Sequence, residues 1–297
     1  MVQLGKLYHP RRTASLTGGR LSLPPRARAG PRPHRLAGVD TRVGRSKSAP
    51  VSVVVPARNE QGRIGQVLAA VRSALPASAE LIVVDDGSTD GTAGEASQIR
   101  GVTLVPAANR FGKGNALYAG VSAATGNVVV TCDADLGSLD ARQLVGMAAI
   151  LVERPGTSLV KARYRSRDSL SGYGGGRVTE LVAKPLLEWF YPELATLGSP
   201  LAGEMAFRRD DALRLGFDPG YGVDVGLAID MAAAHGRGSI AEVDMGAKQH
   251  PHQPLARLSL QAREVAAAIL RRALPGVSGD GYTRLLENLA FPEEELL

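Results

Sequence analysis

The strongest constraint on the fold is an alternation of short strands and longer helices that begins at Val51. Runs rich in β-branched residues occupy positions 51–56, 80–85, 102–106 and 127–132. Between them lie segments such as 60–75, in which apolar residues recur every three or four positions, as on one face of a helix. This alternation is typical of a mainly parallel sheet flanked by helices. The sequence therefore predicts an α/β fold.

Positive charge is concentrated in the first fifty residues, which carry eleven Lys or Arg and one acidic residue, Asp40. The whole chain has a formal charge of +6, so the remainder is net acidic. Nucleic-acid-binding domains need a basic face, and single-strand binders add aromatic platforms, but aromatic residues make up only 4% of this chain. We therefore expect no nucleic-acid partner. The Pro-, Gly- and Arg-rich composition of residues 1–49 predicts a disordered basic tail.

No run of about eighteen apolar residues occurs in the sequence, and its first residues lack the apolar core of a secretory signal. These features predict a cytoplasmic protein without a transmembrane segment. The single cysteine, Cys132, excludes an internal disulfide. It lies in an apolar run, where packing is the expected role.

Two carboxylates, Asp133 and Asp135, follow directly after the run at 127–132. Like charges at the end of a buried strand repel each other, so a cation is expected beside them. Magnesium or manganese can be bound by one or two carboxylates together with a diphosphate. The alternative is that this Asp-x-Asp triplet lies in an ordinary loop and binds no cation.

Two further polar segments follow strands in the first half of the chain. In "VVDDGSTDGT", at 83–92, Asp86 could accept hydrogen bonds from a base or a ribose; a turn in which Asp90 begins a helix explains the segment equally well. In "NRFGKGNA", Lys113 and the backbone N–H groups of a helix start could bind phosphate. Because the ligand crevice of an open α/β sheet lies beyond the carboxyl ends of its strands, one crevice could collect all these residues.

In their order along the chain, "VVVPARNE", "VVDDGSTDGT" and "CDADL" resemble the GT-A glycosyltransferases that use nucleotide-diphospho-sugars. The resemblance implies a GT-A, Rossmann-like fold and a UDP-sugar donor. It also implies a Mg²⁺ or Mn²⁺ cofactor, with Asp135 as a metal ligand and catalytic residue. The residues that it assigns to the donor are Pro56, Ala57, Glu60 and Asp86 for the uridine, Lys113 for the base or phosphates, and Asp133 for the ribose.

In the second half, "GYGGGRVTELVAKPLLEWFYPEL", "PLAGEMAFRR" and "KQHPHQPL" resemble the glucosyl-3-phosphoglycerate synthases of actinobacteria. This resemblance implies a retaining transfer of glucose from UDP-glucose to 3-phosphoglycerate or a related small anion. It places His250 on the metal, and Asp224 and Thr179 among the catalytic residues. The residues that it assigns to the acceptor are Gly176, Arg177, Val178, Thr179, Tyr221 and His252.

The resemblance also divides the chain. We expect a nucleotide-sugar-binding half at 50–155, an acceptor-binding half of the same domain at 156–275, and a C-terminal tail at 276–297. By the same analogy we expect a homodimer. The apolar residues Trp189, Phe190 and Tyr191 are predicted to lie in the core or at the dimer contact.

Three residues depart from the pattern of that family. Asp224 occupies a position where glutamate is expected, Lys248 one where arginine is expected, and His252 one where asparagine is expected. Lys cannot reproduce the planar fork of arginine, and a shorter carboxylate can miss a hydrogen bond. A different donor or a different acceptor is therefore an alternative, as is a nucleotide-sugar-binding protein without catalytic activity. A nucleotidyltransferase is disfavoured because the segment after the first strand lacks a Gly-rich loop.

Overall fold

The computed structural model describes residues 51–106, 112–137, 140–165, 172–247 and 254–274. Its strands are β1 (Val51–Ala57), β2 (Glu80–Asp85), β3 (Val102–Pro106), β4 (Val128–Thr131), β5 (Leu159–Arg165), β6 (Met205–Arg208) and β7 (Ile240–Ala247). Its α-helices are α1 (Ile64–Ala74), α2 (Thr92–Ser97), α3 (Lys113–Ala123), α4 (Ala141–Glu153), α5 (Lys184–Phe190), α6 (Arg209–Leu215), α7 (Val223–His235) and α8 (Leu255–Ala273). A π-helical segment spans Thr179–Ala183, and a 3-10 turn spans Arg237–Ser239.

All seven described strands join one sheet in the order β3-β2-β1-β4-β6-β5-β7. The first four strands along the chain pair in parallel, and β5 pairs in parallel with β7. Strand β6 runs antiparallel to both of its neighbours, β4 and β5. The predicted α/β fold with a mainly parallel sheet is therefore confirmed.

Helices cover both faces of this sheet, which explains why its strands are continuous apolar runs. Along β1, Val53 and Val55 pack into the core layer that contains α1 and α4. Between them, Val54 points into the opposite layer, which contains α3, α7 and α8. All three valine side chains are fully buried. Side chains that alternate between two apolar layers fix the strand register, and hence the edge at which each strand ends.

The parallel pairing brings the polar segments after β1, β2 and β4 to one edge of the sheet. Ala57 pairs with Asp85 at the ends of β1 and β2. The N–H of Cys132, just past β4, donates to the carbonyl of Val54. The predicted convergence of the three segments at one crevice is thus present in the backbone.

Asparagine often begins a helix and glycine often ends one, but Asn59 and Gly126 do neither here. Asn59 does not cap α1: it adopts a φ of 56°, and its side chain accepts hydrogen bonds from Thr89, while α1 begins at Ile64. Gly126 does not end α3, which stops at Ala123. The N–H of Gly126 instead donates to the buried hydroxyl of Ser52. Both residues therefore bond to distant parts of the chain and not to the adjacent helix end.

Trp189 is 77% exposed, so its predicted place in the core is wrong. Its neighbour Tyr191 packs against the core layer of α7 and α8, as predicted for an apolar helix face. A dimer contact through Trp189 stays a prediction. Within the described residues, every helix is too short or too polar to span a lipid bilayer.

Candidate active site

Asp86, just after β2, fixes the start of α3. Its backbone N–H donates to the carbonyl of Ala57 at 2.8 Å, and its carboxylate accepts from the N–H of Gly112, with both oxygens at 3.0 Å. Burial raises the pKa of Asp86, whereas the hydrogen bond from Gly112 and the nearby Arg58 guanidinium lower it. Asp86 thus ties the predicted uridine-binding segment to the residue that precedes Lys113.

Glu60 brings a third carboxylate toward Asp133 and Asp135. Its backbone N–H donates to the hydroxyl of Thr92 at 2.7 Å, which holds the segment after β1 against α2. Burial raises the pKa of Glu60; the Arg63 guanidinium lowers it, and the negative charges of Asp135 and Asp133 raise it further. A cation beside these three carboxylates would offset their mutual repulsion, which fits the metal predicted here.

The described residues include no group of three His, Cys, Asp or Glu side chains that could hold a metal ion by themselves. Magnesium and manganese can be held by one or two carboxylates that share the ion with substrate phosphates and water. Asp135 is partly buried beyond β4. The other predicted ligand, His250, lies outside the described residues, as do His252 and Lys248.

Lys113 joins the Asp-x-Asp segment to α7. Its Nζ atom lies 2.9 Å from Oδ1 of Asp133 and 2.9 Å from Oδ2 of Asp224. Burial lowers the pKa of Lys113, but the two carboxylates outweigh burial, so its pKa is raised above the ordinary value. Lys113 is therefore a fixed cation between one predicted donor residue and one predicted catalytic residue.

Gly203 makes room for this ion pair. A Cβ atom at Gly203 would lie 2.5 Å from Nζ of Lys113 and 2.7 Å from Oδ2 of Asp133. The hydroxyl of Thr131, at the end of β4, also bonds to the Gly203 carbonyl. Sequence reasoning missed this residue, although a glycine among the apolar residues before β6 could have indicated a close backbone approach.

Asp224 is 3% exposed and lies in the first turn of α7. One carboxylate oxygen binds Lys113, and the other, Oδ1, is buried without a hydrogen-bond partner in the part of the chain that the structure describes. A buried, unpaired carboxylate oxygen is costly and is expected to find a ligand. Nearby Tyr221 is 42% exposed, and its N–H donates to Glu264.

The predicted acceptor loop is anchored at Gly174. The Gly174 N–H donates to the carbonyl of Tyr164 at 3.1 Å, and its carbonyl accepts from the hydroxyl of Ser199 at 2.8 Å. Ser199 is buried and also accepts from the Tyr164 N–H. It was missed by sequence reasoning, because a serine before a proline is an ordinary loop residue.

The predicted acceptor residues differ in exposure. Val178 and Thr179 are buried, and the Thr179 N–H donates to the Gly176 carbonyl at 2.9 Å. Gly176 and Arg177 are exposed on the same loop. The loop therefore presents a guanidinium and backbone groups at the surface above a buried threonine.

The sequence model of the family described as "Glycosyl transferase family 2" matches residues 52–181. Glucosyl-3-phosphoglycerate synthase from Mycolicibacterium smegmatis is 38% identical over 245 residues, which cover 79% of this chain and 81% of that protein. The synthase of the same name from Petrotoga mobilis is 35% identical over 236 residues, which cover 75% of this chain and 73% of that protein.

Solved structures of a synthase with the same name also match this chain. A crystal structure of glucosyl-3-phosphoglycerate synthase from Mycobacterium tuberculosis, in complex with Mn²⁺, UDP-glucose and phosphoglyceric acid, matches with a TM-score of 0.70 and 38% identity. The match covers 76% of this chain and 80% of that chain. Another crystal structure of that enzyme, with Mn²⁺, UDP-glucose and glycerol 3-phosphate, matches with a TM-score of 0.69. This chain therefore belongs to the glucosyl-3-phosphoglycerate synthase family of glycosyltransferases.

Proposed function

We propose that this protein transfers glucose from UDP-glucose to the 2-hydroxyl of 3-phosphoglycerate, with retention of configuration and with a divalent cation as cofactor. The observation that carries the proposal is the Lys113 bridge, which places a partly buried cation against both Asp133 and Asp224. The identity to synthases of this name over about four fifths of the chain supports it.

On the donor side, Asp86, Pro56, Ala57 and Glu60 form the edge at which the uridine would bind. Asp133 would contact the ribose, and Asp135 with His250 would hold Mg²⁺ or Mn²⁺. The bound ion would neutralise charge on the leaving diphosphate.

Lys113 contributes a second positive charge at the diphosphate. Its ammonium keeps its proton, because the carboxylates of Asp133 and Asp224 raise its pKa. A fixed ammonium that is largely shielded from water stabilises charge that develops on the departing diphosphate without solvent reorganisation. Lys113 therefore acts as an electrostatic stabiliser and not as a proton donor.

On the acceptor side, the exposed guanidinium of Arg177 would bind the phosphate or carboxylate of phosphoglycerate through two hydrogen bonds. Gly176, Val178, Thr179, Tyr221 and His252 would complete the acceptor site. The unpaired Oδ1 of Asp224 would accept a hydrogen bond from a hydroxyl of the bound sugar or acceptor.

The direct test is UDP release, with the product identified by mass, from UDP-glucose and 3-phosphoglycerate. Glycerol 3-phosphate and a panel of other small anions serve as alternative acceptors, and chelated reactions serve as controls. We expect glucosyl-phosphoglycerate only when metal is present. Tight UDP binding without any product from 3-phosphoglycerate would refute the proposed acceptor but leave the proposed donor in place.

Asp135→Ala tests the metal site. The variant should lose transfer and should no longer be stabilised by Mn²⁺ with UDP in thermal unfolding. Asp140→Ala is a matched control, because Asp140 caps α4 through the N–H groups of Arg142 and Gln143. That variant should lose about 1 kcal/mol of stability but keep its turnover.

A cytoplasmic location and a homodimer complete the proposal. Both proposed substrates are intracellular metabolites, which favours the cytoplasm; cell fractionation tests it. The exposed side chains of Leu181 and Trp189 offer apolar surface for a second copy. Light scattering on the wild type and on Trp189→Ser tests the dimer: a wild-type monomer would contradict it.

A further inference from the structure

Lys161, on β5, is a lysine in the interior of the protein. Its side chain is 1% exposed and ranks among the largest fully buried side chains of the described residues. Lysine is seldom fully buried, because its ammonium loses hydration that protein groups must replace. Here Nζ donates to the carbonyl oxygens of Ala202, at 3.0 Å, and Asp224, at 3.3 Å.

These two carbonyls belong to two separate segments that both lie beside the Lys113 ion pair. Ala202 precedes Gly203, at which a Cβ atom would collide with the side chains of Asp133 and Lys113. Asp224 lies in the first turn of α7 and contributes the carboxylate that binds Lys113. Because one ammonium bonds both segments, Lys161 sets the distance between the loop before β6 and the first turn of α7.

Stability alone does not account for a lysine at this position. Burial lowers the pKa of Lys161 to about 8, although the nearby charge of Asp224 opposes the shift. An apolar side chain of similar length would avoid this desolvation, and such replacements of buried charge are often neutral or stabilising. The two carbonyls that accept hydrogen bonds from Lys161 therefore say more about its role than its burial does.

The charged residues around Lys161 are compatible with a role in linking the two backbone segments. Lys113, Glu204 and Glu242 also act on Lys161 electrostatically. Nevertheless, its described hydrogen bonds go to backbone carbonyls, which hold the chain in place and leave the Asp224 carboxylate to Lys113.

We propose that Lys161 is a positioning residue for glucosyl transfer, which holds the first turn of α7 against the Ala202 loop so that the Asp224 carboxylate stays on Lys113. The inference rests on the proposed function for its kinetic consequence. Its structural consequence, the order of the first turn of α7, is independent of the substrate.

The test compares Lys161→Met with Leu159→Val. Leu159 lies two residues earlier on the same face of β5 and is fully buried, so its variant perturbs the same core layer without touching the two carbonyls. We expect kcat of Lys161→Met to fall by about 10- to 100-fold, with affinity for UDP within about two-fold of wild type. Leu159→Val should change neither quantity by more than about two-fold.

Hydrogen exchange by mass spectrometry supplies the readout that does not depend on activity. Amides in the first turn of α7 should exchange faster in Lys161→Met and at the wild-type rate in Leu159→Val. Unchanged exchange, or wild-type kcat in Lys161→Met, would overturn the proposal. A wild type that makes no glucosyl-phosphoglycerate would refute the proposed function, and the exchange result would still decide the role of Lys161.

Lys161→Gln is a second variant in case the methionine variant does not fold, because its amide is too short to reach both carbonyls; the same losses are expected. A crystal structure of the wild type with UDP and Mn²⁺ gives a further check. It should keep Nζ of Lys161 within hydrogen-bond distance of both carbonyls, and loss of either bond would overturn the proposal.

Discussion

Lys113 and Asp224 are 111 positions apart in the sequence, yet their side chains meet at 2.9 Å. Lys113 is the first residue of α3 on the predicted donor side, whereas Asp224 lies in the first turn of α7 on the predicted acceptor side. Because Lys113 also binds Asp133, a change in either half alters the electrostatics of the other. The contact explains why a shorter carboxylate at 224 is still held firmly.

Lys113→Met should abolish most activity and lower stability. It would leave two carboxylates without their cation, one of them almost fully buried, at a cost of about 3 kcal/mol near neutral pH. Urea unfolding near neutral pH measures this loss of stability, and a variant as stable as the wild type would contradict it.

The double variant Lys113→Met with Asp224→Asn serves as the control. The neutral amide removes one uncompensated charge, so stability should partly recover while transfer stays lost. Full recovery of transfer would exclude Lys113 from the catalytic site.

Gly203→Ala should lower kcat/KM by about 100-fold, because its methyl group would displace the ammonium of Lys113 from Asp133. Gly146→Ala is the matched variant: Gly146 lies within α4, and its Cβ would enter open space. That change should stabilise the protein by up to about 1 kcal/mol and leave the kinetics unaltered. Steady-state kinetics and thermal unfolding of both variants test this prediction. Equal kcat/KM values for the two variants would contradict it.

Ser199→Ala should loosen the acceptor loop. Loss of its bond to the Gly174 carbonyl should raise KM for phosphoglycerate by about five-fold, with little change in affinity for UDP. Ser158→Ala removes another buried serine hydroxyl, which pairs with Ser239 at a distance of 2.7 Å. If both variants raise KM equally, Ser199 has no special role in the loop.

Lys161 should make stability depend on pH above neutrality. Its pKa is about 8 in the folded protein and near 10.5 in the unfolded chain, so the unfolded chain binds more protons between these values. Stability from this residue therefore rises as the pH increases from about 8 to 10.5. The unfolding free energy of the wild type minus that of Lys161→Met should therefore rise by up to about 3 kcal/mol over that range.

The order of strands and helices in the first half of the chain followed from hydrophobic periodicity. The carboxyl-end placement of Glu60, Asp86 and Asp133 followed from the rule that parallel strands end at one edge of the sheet. Local pattern was less informative where tertiary contacts replaced local ones. Asn59, for example, bonds to Thr89 and not to a helix start.

The sequence by itself determined the α/β class and the residue types at the candidate site, because burial and strand direction leave a direct mark on the pattern of apolar residues. Only the tertiary structure decided that Lys113 lies between Asp133 and Asp224, that Gly203 must lack a side chain, and that Lys161 is buried beneath them. These relationships join residues that are far apart in the chain. Periodicity reports the face on which a side chain lies, but it does not identify the side chain from another element that it meets.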